Sequence, residues 1–268
     1  MESFRLSQIS IIFLFKFMRE VHFSLTKKFA NVCIFCYHRV RLLTNPQEAW
    51  MKAILFGSIG TLVETSEIQR QSYNLAFKEA GLDWYWNTAT YCGLLTQPGG
   101  MKRIQNYGDN NLSNEEVKTI HGLKEKYFLD LIPNNLQLRP TVSDVLRYAK
   151  NNEMKLGFIT TTSQANIDVI RSATKGELDF EIFDLITTNK NVVKPKPDPE
   201  IYRFALDHLD MLEDEALVIE DTVVNQMCAL EVGVTCIFFP GEYAEVPMSN
   251  KYFTLTYNLM NKVEDVLT

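Results

Sequence analysis

The pattern of apolar and polar positions changes character at Met51. From there, five six-residue runs with mainly apolar centres recur: KAILFG at 52–57, KLGFIT at 155–160, FDLITT at 183–188, ALVIED at 216–221 and TCIFFP at 235–240. Runs that stay apolar instead of alternating predict strands buried on both faces of a sheet. Between them the period lengthens to that of a helix. SDVLRYAKN at 143–151 sets Val145, Leu146 and Tyr148 to one side, and NIDVIRSA at 166–173 aligns Ile167, Ile170 and Ala173. DPEIYRFALDHL opens with Asp198 as cap and Pro199 at the first helical position. Strands separated by helices pair in parallel through crossovers. The fold class is therefore α/β, with a doubly wound parallel sheet.

The rhythm breaks once. From Ser66 to Pro140 no buried strand is predicted, only helical spacing: SEIQRQSYNLAFKEAGL stops at Gly81, and NEEVKTIHGLKEKYFLDLI starts from a cap at Ser113 or Asn114. The chain divides into a leader, 1–50, an α/β core, 51–65 and 141–268, and an all-helical cap, 66–140, inserted after the first strand. An insertion there overhangs the carboxyl ends of the strands, where open parallel sheets bind ligands.

A composition of 46% hydrophobic and 22% charged residues fits one globular core with a small second lobe. Charge adds more. The net charge of −6, without a long Lys/Arg run, argues against a nucleic-acid partner. The leader carries a surplus of four positive charges and the rest a surplus of ten negative ones. Its apolar run ISIIFLFKFM, broken by Lys16, falls short of the ~20 residues of a membrane span, and no A-x-A cleavage pattern follows. It reads as a translated upstream stretch or a loosely ordered arm, with a targeting or membrane-surface segment as the alternative. Cys33 and Cys36, near His38, lack a second pair at zinc spacing. Cys92, Cys228 and Cys236 are scattered like buried thiols of a reducing compartment, so the expected location is cytoplasmic, with no membrane partner.

Four strand ends carry the candidate chemistry. Gly57-Ser58-Ile59-Gly60-Thr61 has the shape of a turn whose backbone N–H groups cradle an anion. Thr160, followed by Thr161, Thr162 and Ser163, is either a phosphate-oxygen site or an ordinary helix cap. Lys194, held extended by Pro195, is either an ammonium over the cleft or an exposed turn lysine. Glu220 and Asp221, adjacent at a strand end, suit a hard cation such as Mg²⁺, whereas a single acid there would cap the next helix.

In this order, and with VVKPKPDPEIY, ALVIEDTVVN, GLDWYW at 81–86, GGMKRI at 99–104 and ITTTSQANI at 159–167, the chain from Met51 onward resembles the haloacid-dehalogenase superfamily of phosphohydrolases. Within it, the chain is similar to the CbbY-like sugar-phosphate phosphatases, close to β-phosphoglucomutase. The resemblance implies a Rossmann-like core with a helical cap, Mg²⁺ as cofactor and a small phosphorylated metabolite as ligand. It implies Thr160, Gly60 and Thr61 around the phosphoryl group and Lys194 neutralising it. Asp221 would bind Mg²⁺ with Glu220 in support, and Arg103, Lys102, Gln69 and Arg70 would face the rest of a sugar phosphate. Asn225 stands where the family commonly has Gly, and Met101 where relatives often have a basic residue.

The family's first motif, Asp-x-Asp-Gly-Thr, falls on Gly57 to Thr61. There the first Asp attacks phosphorus and the second moves the proton; Gly57 and Ile59 can do neither. Ser58 lies on the opposite face of an extended segment and has no evident base. Losing a general acid costs ~10²–10⁴ in rate, and losing a nucleophile from a cooperating set can cost ~10⁶. Metal affinity should also fall with one carboxylate gone. The expected function is that of a relative of Mg²⁺-dependent sugar-phosphate phosphatases whose aspartyl-phosphate turnover is weak or lost. The alternative is a pseudoenzyme, a non-catalytic regulatory module that binds a phosphorylated metabolite and signals through cap closure or a partner.

Overall fold

The computed structural model describes residues 51–97, 99–247 and 254–267. The leader, with Cys33, Cys36 and His38, lies outside the described residues. Six strands form one sheet: β1 (Ala53–Phe56), β2 (Lys155–Phe158), β3 (Leu185–Ile186), β4 (Ala216–Glu220), β5 (Thr235–Phe238) and β6 (Thr254–Leu255). Their order is β3-β2-β1-β4-β5-β6, and every pairing is parallel. Five of them lie within the five apolar runs. The sixth, two residues long, is too short to show a periodicity.

Side-chain alternation along β1 and β4 distributes the core between two layers. Ile54, Phe56, Leu217 and Ile219 face α6 (Val142–Asn151), α7 (Gln164–Ala173) and α10 (Leu259–Leu267). Ala53, Leu55, Ala216 and Val218 face α8 (Glu200–Leu209) and α9 (Val223–Leu230). Both faces are covered, which is why these strands are apolar throughout. Helix α8 begins one residue later than its sequence pattern predicts, with Pro199 at the cap position. The Asp198 carboxylate still caps it, accepting from the Glu200 N–H at 3.0 Å.

After β1 comes one helical turn, α1 (Ile59–Leu62), and then four helices: α2 (Ser66–Glu79), α3 (Thr88–Leu94), α4 (Gly100–Tyr107) and α5 (Asn114–Leu131). They bury their own cluster around Tyr73, Phe77, Trp86 and Tyr91. The start of α5 is fixed by a reciprocal cap, in which the Glu116 N–H donates to Ser113 Oγ and the Ser113 N–H to the Glu116 carboxylate. Two contacts seat this lobe over the carboxyl ends of the strands. Glu125 of α5 lies beside Asn166 at the start of α7. Tyr243, in the loop after β5, donates to Glu67 at 2.7 Å and sets its ring 6.3 Å from that of Tyr91. Among the described residues, no helix is long and apolar enough to cross a membrane.

Candidate functional site

The chain leaves β1 towards β2 on one side, and β4 lies on the other, so the strand order reverses at the β1/β4 edge. Open parallel sheets have their binding crevice at such a switch point. Parallel pairing of β1 with β4 sets Ile219 beside Phe56, which brings Gly57 against Glu220 and Asp221.

Gly57 has no side chain, and the space is used. A Cβ there would lie under 3.0 Å from the Glu220 carboxyl and from the Tyr202 hydroxyl. Glu220 is fully buried. Its Oε1 accepts from Lys196 Nζ at 2.5 Å and from the Tyr202 hydroxyl. The same ammonium donates to the Ile159 carbonyl at 2.9 Å, to the Tyr202 oxygen at 3.0 Å and to the Gly57 carbonyl. Burial, then the Glu220 charge, holds the Tyr202 phenol well above its usual range.

Asp221 forms the next layer outward. Gly60 is glycine for a reason of close approach: a Cβ there would run into the Asp221 carboxylate. Burial pushes the Asp221 carboxyl up to about 6, the neighbouring Glu220 adds to this, and Ser58, Lys196 and Arg139 oppose it. The Ser58 hydroxyl stands near enough to lower this acid, yet neither Ser58 Oγ nor Asp221 Oδ1 completes a hydrogen bond.

A carboxyl raised in the folded state takes up its proton more readily there than in the unfolded chain, so ionising it destabilises the fold. Stability should fall as pH rises from about 4 to about 6, and the penalty is complete above that window. In buffer free of divalent cations, Asp221→Asn should therefore be more stable than the parent at pH 7. The gain is on the order of 1–2 kcal/mol for a half-buried residue, and it should vanish by pH 4. Urea midpoints for both proteins across that range check this; parallel pH profiles would contradict it.

The Mg²⁺ that the resemblance implies meets a thin donor set. Glu220 Oε1 is engaged by Lys196 and Tyr202, which leaves Asp221 Oδ1 and Ser58 Oγ as buried oxygens without partners. Among the described residues, no three His, Cys, Asp or Glu side chains come together as a metal site. Mg²⁺ asks for near-octahedral oxygen ligation anchored on carboxylates. One free carboxylate, with none supplied from Gly57 beside it, does not fit a resident Mg²⁺.

The other residues singled out from sequence divide into those near the crevice and those turned elsewhere. Thr160 is buried at the end of β2, where its N–H donates to Thr187 Oγ1 at 2.9 Å and its Oγ1 accepts from the Thr162 N–H at 3.2 Å. Thr61 is buried and spends its hydroxyl on the Ser58 carbonyl at 2.7 Å. Lys194 does not reach the crevice. Its side chain is 72% exposed and lies 3.8 Å from Asp198, whereas the Lys196 side chain is 6% exposed and sits beside Gly57. In the cap, Arg103 donates to the carbonyls of Leu94 and Gln97 and to the Tyr73 hydroxyl. Arg70 is held by Glu67 and the Trp86 carbonyl. Lys102 is exposed and Gln69 half-buried.

Three features were not singled out from sequence. Lys196 and Tyr202 are two, the first hidden by its neighbour in the KPKP run. The third is Arg139, where the chain returns from the helical lobe. Its guanidinium donates to the carbonyls of Gly60, Phe239 and Pro240 and stacks over the Phe239 ring at 3.5 Å, tying that return to the first turn and to the end of β5.

A parallel sheet wound on both faces, a crevice at its switch point and a helical lobe inserted after the first strand define a doubly wound α/β ligand-binding scaffold. The chain belongs to the haloacid dehalogenase-like hydrolase family, which it matches over residues 54–239. It is 36% identical over 197 residues to protein CbbY of Cereibacter sphaeroides, covering 72% of this chain and 86% of that one. It is 25% identical over 191 residues to a phosphorylated carbohydrates phosphatase of Thermotoga maritima, covering 70% and 84%. Crystal structures of CbbY from Rhodobacter sphaeroides, one with phosphate and one of a mutant with xylulose-(1,5)bisphosphate, superimpose with a TM-score of 0.69 at 34% identity. They cover 77% of this chain and 94% of that one.

Proposed function

We propose that this protein binds a small phosphorylated sugar between its α/β core and its helical cap, 66–140, and does not hydrolyse it by the aspartyl-phosphate route. The phosphate and the sugar bisphosphate bound by CbbY, at 34% identity, support the ligand class. The observation that carries the loss of turnover is the state of Gly57. The position that would hold the attacking carboxylate has no side chain, and Glu220 and Tyr202 occupy the space beside it. Ile59 is packed partly into the main core cluster and offers no acid or base.

On this reading the first turn and Thr160 receive the phosphoryl group, with Gly60 and Thr61 shaping the turn. Lys196 takes the role that the sequence suggested for Lys194. Gln69 and Lys102 face the sugar end, while Arg70 and Arg103 stiffen the cap that carries them. Binding, on this reading, does not depend on Mg²⁺, because Glu220 is turned to Lys196 and Gly57 supplies no carboxylate. The free thiols of Cys228 and Cys236 support a reducing compartment such as the cytoplasm.

A thermal-shift panel of sugar phosphates, sugar bisphosphates and the parent sugars, run in chelator and in Mg²⁺, tests the ligand class. A ligand at about a hundred times its Kd adds about 2.7 kcal/mol, a melting shift of several degrees. Phosphorylated sugars should give that shift in chelator while free sugars give none. Equal response to both, or to neither, would remove the proposal.

A further inference from the structure

Resting on the phosphate-binding reading above, we infer that Glu220 is a built-in competitor for the incoming phosphoryl group. It neutralises Lys196 inside the fold and has to release that ammonium before an anion can use it.

Two other cations near this end of the molecule are committed. Lys194 points outward to Asp198. Arg139 spends its guanidinium on three carbonyls and the Phe239 ring. Lys196 is the buried cation beside Gly57, and its three N–H donors face four acceptors, of which the Glu220 carboxylate is the charged one. An ammonium so surrounded presents no donor to a ligand.

The position of Glu220 depends on Gly57. A Cβ at 57 would overlap the Glu220 carboxyl, so this carboxylate can lie on Lys196 only because residue 57 lacks a side chain. The other oxygen, Oε2, is held only by the Asp221 N–H at 3.3 Å, a weak tether. Of the two ends that a Cβ at 57 would meet, the Glu220 carboxyl ends a flexible chain that can swing aside, whereas the Tyr202 ring is packed in the core and has to shift by a smaller amount. Ligand affinity is then the intrinsic affinity scaled by the fraction of molecules in which Glu220 has moved off Lys196.

Two variants release Lys196 by different means. Glu220→Gln removes the competing charge and leaves the ammonium its three neutral acceptors, the Gly57 and Ile159 carbonyls and the Tyr202 oxygen. Gly57→Ala keeps every charge and displaces Glu220 sterically. Calorimetric titration of inorganic phosphate into the parent and both variants, with folding checked by circular dichroism, is the test. Each folded variant should bind phosphate at least about tenfold more tightly than the parent, the gain expected when a competing ion is removed from a charge-assisted contact. If the parent binds and a folded variant binds no more tightly, the competitor role is overturned while the phosphate-binding reading stands. If none of the three proteins binds phosphate or a sugar phosphate, both readings fall. Loss of folding in both variants would show that Glu220 cannot leave its place, which also overturns the inference.

Discussion

Replacing Gly57 and Ile59 together by Asp is expected to raise hydrolysis of a generic phosphomonoester by about 10²–10⁴-fold or more over the parent, with either change alone staying near background. Nucleophile and acid/base work as a unit, so restoring one without the other recovers little. The structure adds a condition that the sequence did not show. A side chain at 57 must first move Glu220 and Tyr202 away, because its Cβ would meet both. That movement takes Glu220 off Lys196 and leaves the ammonium beside the new carboxylate. The cost is local. Ile59 packs against the main core cluster, and an Asp there, with the crowding at 57, should lower stability by about 1–3 kcal/mol. Initial rates in Mg²⁺, with unfolding curves on the same preparations, decide it. A folded double variant with no more activity than the parent would mean that the crevice has changed beyond its first turn.

Lys196→Met should destabilise the protein by about 3–5 kcal/mol, because it leaves the fully buried Glu220 carboxylate without its cation. Lys194→Met should change stability by no more than about 0.5 kcal/mol, since its partner lies 3.8 Å away at an exposed surface. The two lysines are two residues apart in one run, so denaturant midpoints for the pair of variants give an internal comparison. Equal effects would mean that Lys196 is not the buried member.

How legible the molecule was depends on how far apart the deciding residues lie. Strands β1, β2, β4 and β5 are read from local apolar content, since both faces are covered, and the helical insertion is read from the missing strand between Ser66 and Pro140. β6 has two residues and no pattern. At the site, Gly57, Ile59, Glu220 and Asp221 were legible because the first turn and the end of β4 are marked by type and place. The choice between Lys194 and Lys196 was not. Both are lysines preceding proline, and which one is buried depends on the register of that run against Gly57, Ile159 and Tyr202. Nor could the sequence show that the space beside Gly57 is filled, because that follows from Glu220 and Tyr202 arriving from distant segments.

Binding without turnover leaves a direct signature. Its most direct measurement mixes the protein in molar excess with a sugar bisphosphate and follows inorganic phosphate release and the intact protein mass over hours, after calorimetry has established that the ligand is bound. The bound ligand should be recovered unchanged, with no released phosphate and no phosphoryl adduct on the protein. Stoichiometric phosphate release within minutes, abolished by Ser58→Ala, would contradict binding without turnover.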